Sequence, residues 1–335
     1  MKKSKIYTIF AIMKESEFIQ NNVVKWKRIE KALNSSNAFS DISPEVLADL
    51  YLDLTSDLAF SRTNYPEAKT TSYLNNLTFT FHNKIYRKER MRWEQIKHIF
   101  THRIPLTLYE SRGALFMSII VFTIFTLFGT ISQINNPNYA DLVLGTSYVS
   151  TTLDNIEQGK PTDIYASSPE IDSFFMIVLN NLWVDLRTFL GGILTSLGAL
   201  IFLIYNGLML GCFQTFFFQH GVGWESVLSI WQHGALEIPT IILSGAAGIT
   251  MGNGWLFPGT YSRYEAFKRS AKRGMVILAG VAPVTVVAAI IESFLTRHTE
   301  FPTPLRIMTI ILGFAFIIAY FGILPFKRGK EVADE

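Results

Sequence analysis

The sequence predicts an all-α fold: a polytopic membrane helix bundle of about six spans, some broken or short, with an N-terminal cytoplasmic helical bundle. Three observations predict it. The 335-residue chain is 49% hydrophobic and only 17% charged, at a mean hydropathy of +0.25, whereas soluble domains lie near about a quarter charged. Charge is concentrated in the first part of the chain, and the remainder alternates long apolar runs with short polar ones. Gly113 to Ile134 then runs for 22 residues without a charge, enough to cross a hydrocarbon core of about 30 Å. The expected organisation is a cytoplasmic helical domain over 1–104, a transmembrane domain over 105–325 and a cytoplasmic tail over 326–335.

The net charge of +3 is too small to point to nucleic acid. The basic residues flank apolar spans and read as topology determinants, which makes membrane lipids the expected surroundings. The single cysteine, Cys212, excludes a disulfide framework and a cysteine-based metal motif. The opening MKKSKIYTIFAIMKESEF imitates a signal peptide, but Lys14 and Glu15 stand where a small-residue cleavage site belongs. It reads as retained.

In the first domain, Phe18, Val23, Trp26, Ile29 and Leu33 recur at helical spacing between about Ile12 and Leu33. NSSNAFSD is a loop, and Ser43-Pro44 opens a second helix with a capping hydroxyl and a proline at its first position. That helix presents Val46, Leu47, Leu50, Leu54 and Leu58 on one face. A third runs from about Pro66 towards Phe100 and turns strongly basic, so an antiparallel three-helix bundle is expected. His82 and His98 read as surface or packing residues.

Spans are expected near 113–134, 174–186, 190–212, 227–251, 274–294 and 304–324. Lys84, Arg87, Lys88, Arg90, Arg92, Lys97, Arg103 and Arg112 precede the first, and the loop 135–173 after it is acidic. The positive-inside rule puts the N-terminus in the cytoplasm and this loop outside, long enough for an ordered cap with turns at Asn136-Pro137 and Lys160-Pro161. The basic segment YSRYEAFKRSAKRG is expected as a cytoplasmic loop. Between Ser173 outside and Tyr261 inside the chain must cross an odd number of times. Three crossings satisfy this, and so does one crossing with re-entrant pieces. The status of 174–186 stays open.

The chemistry-bearing stretch is Ser226 to Gly254, where His233 and Glu237 lie one helical turn apart, just before Pro239. At i and i+4 they share a face, and ionisable groups inside a span mark functional sites. Two readings stand: proton or substrate handling, and a buried polar pair that fixes packing around a Pro239 kink. Two ligands do not make a zinc site; another would have to come from Asp185, His220, Glu225 or Glu292. No metal or cofactor is therefore assigned. Asp185 and Arg187 flank a polar break after Asn180 and Asn181 and point to different helix faces, and together with His233 and Glu237 these four form the candidate intramembrane polar site. Glu292, beside Arg297 and His298, reads as snorkelling to the interface.

Gly207 and Gly211, and Gly248 and Gly252, are four apart and mark close helix contact, within the chain or between copies in a homo-oligomer. A P-loop, a dinucleotide fingerprint, a G-x-S-x-G elbow and a zinc-protease motif are all missing.

Several long strings carry a family resemblance: FIQNNVVKWKRIEKAL, LYLDLTSDLAFSRTNYPEAKTTSYLNNL, HNKIYR, FFMIVLNNLWVDLRTFLGGILTSLGALIFLIYNGLMLG and HGALEIPTIILSGAAGITMG. With these, the chain resembles the stage II sporulation protein M family of polytopic membrane proteins, in its longer, broadly distributed branch. The resemblance implies a bacterial inner-membrane location and an anchor for cell-envelope machinery, with other envelope proteins, cell-wall hydrolases among them, as partners. A non-enzymatic scaffold is the leading hypothesis. A transporter or lipid flippase built around His233 and Glu237 competes with it, and an intramembrane hydrolase comes third.

Overall fold

The computed structural model describes residues 13–34, 44–85, 93–159, 170–296 and 301–334. Every element among them is helical. The N-terminal apolar run, most of NSSNAFSD, Ser43, the basic residues between 86 and 92, the Lys160-Pro161 turn, Arg297 and His298 lie outside the described residues. The chain forms two compact units, Met1–Arg92 and Trp93–Glu335.

In the first unit, α1 (Glu15–Asn34), α2 (Pro44–Asn64) and α3 (Lys69–Ile85) enclose a core of Phe18, Trp26, Ile29, Leu33, Leu54, Leu58, Leu74, Leu77 and Phe81. The three-and-four spacing of the α1 residues puts them on one stripe. Acidic Glu15 and Glu17 in its first turn and Lys31 in its last complement the helix dipole. The Trp26 indole donates to Asp57 at 2.8 Å, and Lys25 pairs with the same carboxylate at 2.6 Å. Val46, in the first turn of α2, stays half exposed.

The second unit begins with α4 (Trp93–His98) and, after a π-helical stretch, α5 (Ile104–Glu110). Ile104 and Leu108 are buried there, so the residues just before 104 fold with this unit and not with the first. Six long helices follow: α6 (Arg112–Asn135), α9 (Glu170–Leu190), α10 (Ser196–Gln219), α11 (Gly223–Leu256), α12 (Arg263–Ile291) and α13 (Thr303–Ile317), the last continuing through a π-helical turn into α14 (Leu324–Asp334). Between α6 and α9 lie the short helices α7 (Tyr139–Leu144) and α8 (Thr146–Glu157). Residues 112–135, 196–219, 223–256, 263–296 and 303–334 are helices long and apolar enough to cross a membrane. The protein is therefore a membrane protein with several spanning helices.

α11 is the central helix: 78% of its most apolar window is buried inside the protein, against 17% for α6 and 11% for the helix over 303–334. It is continuous through Pro239. The basic segment expected as a loop is instead the start of α12. Ser262 caps it by accepting from the Glu265 amide at 3.3 Å, and Glu265 pairs with Arg269 at 3.0 Å. The S-x-x-E pattern is a capping signal, and it starts the helix at Arg263, about three turns before the apolar run. The segment after 325 is likewise helical and docks on α5: Tyr109 and Phe326 meet edge to face at 5.7 Å, and Arg328 donates to the Thr101 carbonyl at 3.1 Å.

α6 and α10 pack in parallel, with Gly207 against Phe122, Gly211 against Thr126 and Gly129 against Leu208. A Cβ on Gly211 would lie 2.0 Å from the Thr126 carbonyl oxygen, so only glycine lets the two backbones approach this closely. Gln133 and Gln219, near the two C-terminal ends, close the pair by a 2.9 Å hydrogen bond. The second glycine pair serves another junction: Gly248 lies against Gly192 and Ala199, and Gly252 against Thr195 and Ser196. All four glycines thus make contacts within the chain.

α9 ends where Gly191–Ile193 form a single 3-10 turn before the extended Thr195. One face of α9 exposes Phe175, Met176, Leu179 and Trp183; the other buries Asn181, Asp185 and Thr188. α7 and α8 turn over the end of α10 through Gly145, whose φ of 93° favours glycine. Ala140 and Val149 pack there on Cys212, Phe216 and Phe217.

Candidate functional site

The site is assembled from three long helices. On α11, His233 and Glu237 are one turn apart on the same face, with His233 Nε2 4.0 Å from a Glu237 carboxylate oxygen. α12 ends in a π-helical turn, Glu292–Thr296, a departure from regular helix of a kind that is frequent at functional sites. This turn delivers two groups to the histidine. Thr296 Oγ1 lies 3.0 Å from His233 Nδ1, and ligating atoms of Glu292, Glu237 and His233 all lie within 4.8 Å of one another. α9 adds Asn181, buried at 7% exposure, whose Oδ1 accepts from the Asn180 amide at 3.2 Å. The Asn181 Nδ2 is buried and faces the Glu292 carboxylate as a donor.

These side chains line a cavity of about 460 Å³, to which α10 contributes Asn206 and α8 contributes Tyr148. Asn206 is anchored by donating to the Phe202 carbonyl at 2.7 Å. Tyr148 stands where the short helices cover the cavity. Burial pushes its phenol up to about 12, so near neutral pH it remains protonated and able to donate a hydrogen bond. Among the described residues the cavity wall holds two carboxylates and no lysine or arginine. Charge on such a pair in an apolar surrounding must be met by protons or by a bound cation.

The expected constellation of His233, Glu237, Asp185 and Arg187 is therefore only partly present. Asp185, at 1% exposure, is one turn from Asn181 on the same face of α9. It accepts hydrogen bonds from Ser244 on α11 at 2.9 Å and from Thr285 on α12 at 2.5 Å. This forms a second polar layer, set deeper than the first. Arg187 lies apart from both layers, its guanidinium 5.2 Å from the Phe202 ring centroid. Two residues of offset on one helix keep Asp185 and Arg187 on different faces.

Glu292 takes the place those two were expected to fill. It lines the cavity, because the π-helical turn swings it towards α11; snorkelling does not describe it. His220 and Glu225 are exposed and are not among the cavity-lining residues. Thr296, Asn206 and Tyr148 carried no signal in the sequence, because each joins the site only through tertiary packing. Arg306 on α13 is a further buried cation and donates to Ser229 of α11.

A family model described as stage II sporulation protein M matches residues 118–297, which contain every residue of the cavity wall and the deeper layer. A second model, described as a domain of unknown function (DUF8413), matches residues 16–87. No curated protein and no solved structure matches the chain.

Proposed function

The chain belongs to the stage II sporulation protein M family, whose model spans more than half of it, and from that premise we propose that it admits a small cation or polar solute to its intramembrane cavity and passes it across the bacterial cytoplasmic membrane. The observation that carries this is the cavity itself. A helix bundle that served only as an anchor has no need of two carboxylates, a histidine and a buried amide around an open space of about 460 Å³. The deeper layer supports a route onward. From Glu237 to Ser244 and from Glu292 to Thr285 are seven residues each, or about 10 Å along an α-helix.

In this reading α9 is a sixth crossing and both termini are cytoplasmic. Parallel α6 and α10 require the chain to return between them, and α9 is the long helix available to do so. The same scheme places the basic first turns of α12 inside and the cavity under the external cap of α7 and α8. The test is flux in proteoliposomes holding the full chain, with proton-, monovalent- and divalent-sensitive dyes inside. Flux is expected for the wild type, and Glu237→Gln should reduce it at least about tenfold while the protein stays folded, as intramembrane carboxylates serve relays. No flux of any of the three across the pH range would overturn the reading.

A second reading, an anchor for envelope machinery, is favoured by the first unit, which has its own core and its own matching family model. Photo-crosslinkers at the exposed Lys27 and Arg28 would then capture envelope proteins in the cell. Crosslinks to lipid alone would count against it.

A further inference from the structure

We propose that the cavity holds a divalent transition-metal ion of the zinc or manganese kind on His233 Nε2 and one carboxylate oxygen each of Glu237 and Glu292. The assignment rests on the cavity being the working site of the protein. The three ligating atoms are already within 4.8 Å of one another. Tetrahedral zinc with bonds of about 2.0–2.1 Å needs edges of about 3.4 Å, so side-chain rotations close the site without backbone movement.

The histidine is oriented for the task. Thr296 Oγ1, 3.0 Å from Nδ1, can accept from the tautomer protonated there, in which Nε2 turns its lone pair to the side of the Glu237 carboxylate. Metal-bound histidines are regularly fixed by such a partner on the other nitrogen. The charges also balance. Among the described residues two carboxylates face a wall without lysine or arginine, and one divalent ion neutralises both.

Asn181 lines this cavity beside Glu292, and its buried amide faces the Glu292 carboxylate as a donor, an outer partner of the kind that orients metal-bound carboxylates. Three protein ligands leave a coordination position open to a water or hydroxide. One imidazole with two carboxylates suits zinc, manganese or iron; magnesium favours oxygens alone, and copper(I) favours sulfur.

The experiment uses the full chain purified in detergent, stripped with a chelator, incubated with zinc or manganese, gel-filtered and measured by elemental mass spectrometry. About one metal per chain is expected for the wild type, with a metal-dependent rise in melting temperature. Since the loss of an outer partner alone weakens metal sites 10- to 100-fold, Glu292→Gln and His233→Gln should weaken binding by at least about 100-fold and abolish the thermal shift. Glu265→Gln, on the exposed first turn of α12, should bind as the wild type does. Circular dichroism and gel filtration establish that the variants are folded. A folded wild type with neither bound metal nor thermal shift would overturn the proposal, as would variants that bind like the wild type. Flux abolished by Glu237→Gln with no metal bound would remove the metal and leave the cavity; metal bound without flux would do the reverse.

Discussion

Gly252→Val is expected to leave little folded protein. A Cβ at this position would lie 2.1 Å from the Ser196 amide nitrogen and 2.5 Å from the Thr195 carbonyl carbon. Both are backbone atoms at the start of α10, held there by the Ser196 to Asn253 hydrogen bond of 2.9 Å. A side-chain neighbour could rotate away; this one cannot. Overpacking of about 3 kcal/mol is the upper part of the usual range and corresponds to a fall of roughly 10 °C in melting temperature for a domain of this size. Gly113→Ala is the control, because nothing lies within 4 Å of a Cβ there. Fluorescence-detected size-exclusion chromatography after heating measures both. An unshifted Gly252→Val would show that α11 and the start of α10 do not meet as described.

Asp185→Ala comes second in size. Both oxygens of this carboxylate are occupied, by Ser244 at 2.9 Å and Thr285 at 2.5 Å, and the site is sealed. Truncation leaves two hydroxyls short of their acceptor and a void besides, an expected loss of about 2–4 kcal/mol. Asp185→Asn keeps the shape and one acceptor, so it should cost less than about 1.5 kcal/mol. Thermal unfolding in detergent compares the two. Equal losses would mean that the charge, and not the hydrogen bonds, holds the three helices together.

The helical class, the first span and the shared face of His233 and Glu237 were legible because each is a local property. Twenty-two uncharged residues from Gly113 announce a span whatever surrounds them, and residues four apart on a helix share a face in any fold. The start of α12 was legible in principle, through Ser262 and Glu265, but the basic charges that follow drew the reading towards a loop. Glu292 was legible as one of four candidate ligands, but its place in the cluster was not: it lies 55 residues beyond Glu237, and its direction depends on a π-helical turn that no simple periodicity encodes. The separate layer that Asp185 forms was hidden for a related reason. Spacing gives the face a residue occupies, but the level at which one helix meets another comes from packing, here from Gly192 against Gly248.

The parallel arrangement of α6 and α10 has a consequence for biogenesis. In the topology proposed above, α9, with Asp185 and Arg187, is the segment that returns the chain, and each such charge costs about 2.5–3.5 kcal/mol at the centre of a lone inserting helix. The groups that satisfy Asp185 are synthesised 59 and 100 residues later. When α9 leaves the ribosome, neither of those groups has been made. In that topology the stable placement of α9 is expected to follow the synthesis of α11 and α12, so that partners downstream decide it late in translation.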